Sequence, residues 1–322
     1  MNAPGPGSTL RPLGVGEILD RAVNLCVKHI VPLTIIFLVY AIPLAIVQYL
    51  ATKDVASQDV ANLLSMLSKS TAGNNAAPPD IGKELNGWTA ATVVMSLFVG
   101  PLPQAALVVA AASFYLGRQT SFADAYRAAL PRWLHLLGLN FMYGLAGGFL
   151  YFVVIIVMAL LGLGIGFLYA VSHVAGIAVG IIIGAVFIVL CLGFFMVAIL
   201  AYEMSFLACV LERQNLAVAF ASGIRRVFAG VGLQRSLLTG SAFVAIFIAI
   251  AIVSGVGQTL MIALLRSSLA GVAYTTLVGI ATAAFTTTFI AIFYFDLRVR
   301  EEGLDLQIAA QAAQPGTQLS SS

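Results

Sequence analysis

Residues 136–211 form a run of 76 positions in which His173 and Glu203 are the only chargeable side chains. As one straight helix it would be about 110 Å long, several times the ~30 Å hydrocarbon core of a bilayer. Backbone N–H and C=O groups cannot be left unpaired in lipid, so such a run has to cross as helices and return. Two crossings fit, at about 138–164 and 175–200, turning near 166–176 around Ser172 and His173. A third crossing would carry the next basic segment to the opposite face, and is rejected on that ground.

The rest of the chain has the same character. Hydrophobic residues make up 61% of its 322 positions and charged residues 9%, against about 25% charge in soluble domains. Water-soluble and disordered classes are therefore excluded. Further runs predict spans at about 31–50, 88–116, 237–256 and 270–294. Pro43 should kink the first, and Pro101 and Pro103 should bend or break the second. A break between the last two is expected at 257–268. The expected fold is thus all-α, with six transmembrane helices in a membrane domain over 14–302 and disordered segments at 1–13 and 303–322. No cleavable signal is expected, because Glu17, Asp20, Arg21 and Lys28 interrupt any early apolar stretch.

Six spans put both termini on one side. Twelve of the sixteen Lys and Arg residues fall on that side, and Lys53, Lys69, Lys83 and Arg266 on the other. The positive-inside rule then places both termini in the cytoplasm. A net charge of +3 is too small to argue for nucleic acid. Cys26, Cys191 and Cys209 show no disulfide or metal spacing, and no cofactor is expected.

Each cytoplasmic segment ahead of a hairpin reads as a short amphipathic helix. Ser121 to Arg132 matches Asn215 to Arg226 without gaps at an offset of 94, and Gly14 to Leu19 matches the second copy at an offset of 107. Ala22, Ala129 and Gly223 then coincide. Ser121 and Asn215 suit N-caps, and Asp124 and Glu17 complement the helix dipole. Helices of this kind lie in the membrane interface with basic residues near anionic lipid. The pattern predicts a possible threefold repeat of interfacial helix plus transmembrane hairpin.

Gly144 and Gly148, Gly162 and Gly166, and Gly176, Gly180 and Gly184 recur at four-residue spacing, which predicts close packing of the third and fourth spans on each other, with a homodimer interface as the alternative. Glu203 is an acid inside an apolar stretch; a salt bridge to an arginine of an interfacial helix is expected, and a gating or binding role is the alternative. Glu17, Arg21, Asp124, Arg132, Arg226, Asp296 and Arg298 complete the polar candidates, at helix starts and span boundaries. No phosphate loop, zinc motif or nucleophile elbow is present, so no catalytic activity is expected. The lipid bilayer is the expected partner, with a membrane or cytoplasmic protein as a second.

Two segments carry a resemblance. Arg11-Pro12-Leu13 with Gly16-Glu17-Ile18-Leu19-Asp20-Arg21-Ala22 opens the membrane domain. Tyr294-Phe295-Asp296-Leu297-Arg298-Val299-Arg300, then Glu302-Gly303-Leu304-Asp305-Leu306, closes it. Together they resemble the family named for the membrane domain of glycerophosphoryl diester phosphodiesterases. The resemblance implies a bacterial cytoplasmic-membrane protein; it does not imply phosphodiesterase activity, which in fused members belongs to a separate soluble barrel. The orientation is directly testable: a topology reporter at Ala72 should read outside the cytoplasm and one at Gln119 inside, and the reverse pattern would refute the charge argument.

Overall fold

The computed structural model describes residues 13–53, 87–228 and 231–302, with side chains of 231–233 and 301–302 left aside. The expected tails at 1–12 and 303–322 lie outside the described residues, as does the polar stretch 54–86. Among the described residues every element is helical. The chain forms α1 (Val15–Lys28), α2 (Ile30–Thr52), α3 (Gly87–Phe98), α4 (Pro101–Tyr115), α5 (Phe122–Ala129), a 3-10 turn (Leu130–Arg132), α6 (Trp133–Val171), α7 (His173–Leu211), α8 (Leu216–Phe228), α9 (Val231–Leu265) and α10 (Ser268–Glu302). Six helical stretches are long and apolar enough to cross a membrane, α3 and α4 counting as one. This is a multi-pass integral membrane protein.

The second span breaks where its prolines sit. Pro101 and Pro103 have no N–H to give, so the carbonyls one turn earlier lose their helical partners. The backbone tightens locally: Leu102 N–H bonds Val99 O at 3.1 Å rather than the carbonyl of Phe98. The carbonyl so released accepts from the Trp133 indole at 2.9 Å. A single such bond contributes about 1 kcal/mol, and leaving the carbonyl bare in an apolar setting costs more. Trp133 therefore repairs a defect that the prolines create 30 residues earlier.

Turns elsewhere are short. Ser172 separates α6 from α7 and caps α7, its hydroxyl accepting from Ala175 N at 3.5 Å. The break expected at 257–268 shrinks to Arg266 and Ser267, because α9 continues to Leu265. Polar side chains there do not end the helix: the Thr259 hydroxyl bonds back to Gly255 O at 2.9 Å. Arg266 turns the corner with φ 47°, in the left-handed region. Leu13, the last residue of the segment expected to be disordered, is instead buried and bonded to Asp296 at 2.7 Å.

The described residues form two compact units, those within 13–133 together with 245–302, and those within 134–244. In the first, α2 packs on α10, α3 and α4, and α4 packs on α10 and α5. α4 contributes small buried residues, Ala105, Ala106, Ala110 and Ala111. Gly257 and Gly271 let α9 and α10 close on each other near their turn: a Cβ on Gly271 would meet Ile262 at 2.6 Å, and one on Gly257 would strike the Tyr274 ring.

In the second unit the glycine stripes behave differently from expectation. A Cβ on Gly176 would meet the Tyr169 backbone at 2.5 Å, and one on Gly180 would meet Ile165 at 3.2 Å. Gly144, Gly148, Gly162, Gly166 and Gly184 would meet nothing within 4 Å. The packing expected of all seven is thus made by two. The close approach of α6 and α7 at glycine is confined to Gly176 and Gly180, near their turn, and the other five glycines face open space. Gly223 on α8 is tight as well: a Cβ there would come to 2.6 Å from Ser205 N and 2.8 Å from Ala201 O on α7.

These contacts separate two kinds of glycine. Gly223→Ala should lower stability by about 1–3 kcal/mol through overpacking, whereas Gly148→Ala should be neutral or gain up to about 1 kcal/mol from helix propensity. Thermal unfolding of both variants in one detergent checks the ordering.

Candidate functional site

Polar side chains gather at the ends of the long helices, in one cluster per unit. In the first unit the cluster joins the two ends of the membrane domain. Asp296, fully buried on α10, accepts from Leu13 N–H at 2.7 Å. Arg300, one turn further, donates its Nε to both Asp296 oxygens at 3.0 and 3.1 Å and its terminal nitrogen to Leu13 O at 2.8 Å. Both backbone groups of Leu13 are thereby held by one ion pair. A carboxylate near a helix C-terminus works against the helix dipole, and Arg300 together with the Leu13 amide offsets that cost.

Beside this clasp, α1 lies on α10. Its face of Ile18, Ala22 and Cys26 is buried, four residues apart, as helical periodicity requires. Burial pushes the Cys26 thiol up from its ordinary value, so it is a packed side chain rather than an activated nucleophile. Glu17 and Arg21 pair at 3.0 Å as i and i+4 neighbours, half-exposed; such pairs contribute about 0.3–0.5 kcal/mol. His29, in the single-residue gap before α2, stacks on Phe114 with ring centroids 4.2 Å apart.

In the second unit, α8 returns along the end of α7 and brings Arg226 to Glu212, the residue that caps α7, at 2.7 Å. Gln214 donates to the other Glu212 oxygen at 2.6 Å, and Ser222 donates to Gln214 at 2.8 Å. The acid side chain is 16% exposed and the guanidinium 4%. Two turns deeper, Tyr143 of α6 bonds Ser205 of α7 at 2.8 Å and stacks edge-on with Tyr202. Tyr202 in turn donates to Asn140. Phe220 of α8 packs on the Tyr143 ring at 4.9 Å. Three helices are stitched together by hydroxyls, amides and aromatic faces.

The arginine pair expected for Glu203 belongs instead to Glu212. Glu203 lies nine residues up α7, about 13 Å along the axis, out of reach of a guanidinium held at the helix end. It sits half-buried beside Tyr202, and among the described residues it makes no ion pair. Asp124 acts locally: its backbone N–H donates to Ser121 Oγ at 3.2 Å, and the Ser121 hydroxyl donates back to its carboxylate at 2.6 Å, a capping box at the start of α5. Arg132 ends the 3-10 turn, and Arg298 lies half-buried between Leu297 and Val299.

Sequence reasoning thus found Asp296 and Arg226 but not all their partners. Arg300 was recoverable from its i+4 spacing to Asp296. Glu212 was not, because its contact with Arg226 depends on how α8 turns back. The chemistry on offer in both clusters is that of ion pairs and neutral hydrogen bonds, with each acid engaged by a guanidinium or backbone amide. No family model matches the chain, and no curated protein or solved structure is significantly similar to it.

Removing one partner of a buried pair strands the other. Glu212→Ala should cost about 3–5 kcal/mol of stability, and adding Arg226→Met should recover part of it. A double-variant loss equal to the sum of the Glu212→Ala and Arg226→Met losses, measured by unfolding in detergent, would show that the pair is not coupled.

Proposed function

We propose that this integral membrane protein is a non-enzymatic scaffold or accessory subunit that presents three interfacial helices, α1, α5 and α8, to lipid or to a protein partner. The carrying observation is that these helices share one pattern of burial. In the repeat register Ile18, Ala125 and Ala219 are all buried, as are Ala22, Ala129 and Gly223. Further along the same register one position faces outward and is apolar in each copy, Val27 on α1, Leu134 at the start of α6 and Phe228 on α8, at 68%, 71% and 51% exposed.

The surroundings support an interfacial placement. Val27 continues at four-residue spacing into Val31, Ile35 and Val39, the outward stripe of α2. Leu134 heads the stripe of Phe141, Leu145 and Phe149 on α6. An outward edge continuous with a lipid-facing one belongs at the headgroup boundary, where neighbouring Lys28, Arg127 and Arg225 would meet anionic lipid. The docking pattern supports a repeat as well. α5 rests on the end of the second span, α8 on the end of the fourth, and α1 on the end of the sixth. The resemblance to the phosphodiesterase membrane-domain family adds a bacterial inner membrane and cytoplasmic termini to the proposal, and no reaction.

A transporter or channel for a small or lipidic solute is the second reading, favoured by the break at Val99 and Gly100 in the second span and by Glu203 without an ion pair among the described residues. Purification from native membranes in mild detergent should yield a stoichiometric protein partner or a homodimer; monomer alone would count against the scaffold. Solute flux in proteoliposomes that is lost in Glu203→Gln would favour the transporter.

A further inference from the structure

On α2, Leu38, Ile42 and Tyr49 recur along one face, and on α10 Leu269, Thr276 and Ile280 recur along the facing one. The helices are antiparallel, so Tyr49 stands near Leu269 and Leu38 near Ile280. Between them lies a groove of about 400 Å³. Val272 and Ile280 form a buried floor, while Ile42, Ile46, Leu269 and Leu277 stand exposed along the rims. The Thr276 hydroxyl is turned onto its own helix, bonding Val272 O at 2.7 Å. Both walls are membrane spans, so the rims open into hydrocarbon rather than water.

The dimensions select the occupant. Each wall is twelve residues of helix, a rise of about 16 Å, which is about the depth of one leaflet of a ~30 Å core. A volume of about 400 Å³ over that length leaves a cross-section of about 25 Å², the width of one hydrocarbon chain. An apolar groove with no inward polar group does not hold water. Tyr49 closes the end that meets the headgroups, a position suited to an amphipathic phenol.

We infer that the groove between α2 and α10 is a binding site for one acyl chain of a phospholipid in the leaflet opposite the chain termini. This site does not rest on the scaffold reading, since it needs neither a repeat nor a partner.

The test reconstitutes the full chain in vesicles of phosphatidylethanolamine and phosphatidylglycerol carrying a phospholipid with a mid-chain diazirine. After illumination, cross-links should concentrate in peptides covering residues 38–49 and 269–280. Ala45→Trp and Ala273→Trp each fill the groove and should reduce those cross-links severalfold; Val39→Trp, on the outward stripe of α2, should leave them unchanged. Labelling spread evenly over all lipid-facing helices of the unaltered protein would overturn the site, since that is the signature of bulk lipid. So would full labelling in a folded Ala45→Trp or Ala273→Trp variant.

Discussion

A bilayer offers no partner to a peptide N–H or C=O, and each part of this molecule answers to that constraint. Long helices satisfy it by construction. It bites where the helices are interrupted, and there the structure supplies named substitutes. The Phe98 carbonyl released at Pro101 and Pro103 is taken by the Trp133 indole. The free N–H groups at the starts of α5 and α7 are met by Ser121 and Ser172. At the start of the domain, both backbone groups of Leu13 are held by Asp296 and Arg300. Among the described residues most charges thus stand near helix ends, with Glu203 inside α7 an exception.

The same economy explains how the short helices are held. Each packs a narrow face of small residues on the end of a long helix: Ala22 of α1, Ala129 of α5 and Gly223 of α8 occupy one register and all are buried. For α5 and α8 the supporting helix precedes them in the chain. For α1 it is α10, at the far end of the membrane domain. The Asp296–Arg300 clasp on Leu13 holds the start of α1 in that docking.

Spans, turns and broken segments were legible in the sequence because they follow from local rules. The turn at Ser172 and the break at Pro101 stand where apolar runs and prolines put them. Reading failed where a contact joins residues distant in sequence. Glu203 is the acid that hydropathy singles out, yet Arg226 pairs with Glu212, which is merely the acid its helix happens to pass. The glycine stripe on α6 and α7 has the right spacing for packing, but spacing does not say whether the two helices stay together. Gly223, Gly257 and Gly271, which do sit against a neighbour, lie outside that stripe.

By itself, then, the sequence determined the solvent of this protein, the number of its crossings and the short helices between them, since each depends on a window of some twenty residues against a fixed hydrocarbon thickness. Tertiary structure alone decided which end of the chain holds α1, which acid meets Arg226, and that α2 and α10 leave a chain-wide groove between them. Those outcomes depend on crossing geometry between helices far apart in sequence, and an apolar residue reads the same whether it faces a neighbour, a groove or lipid.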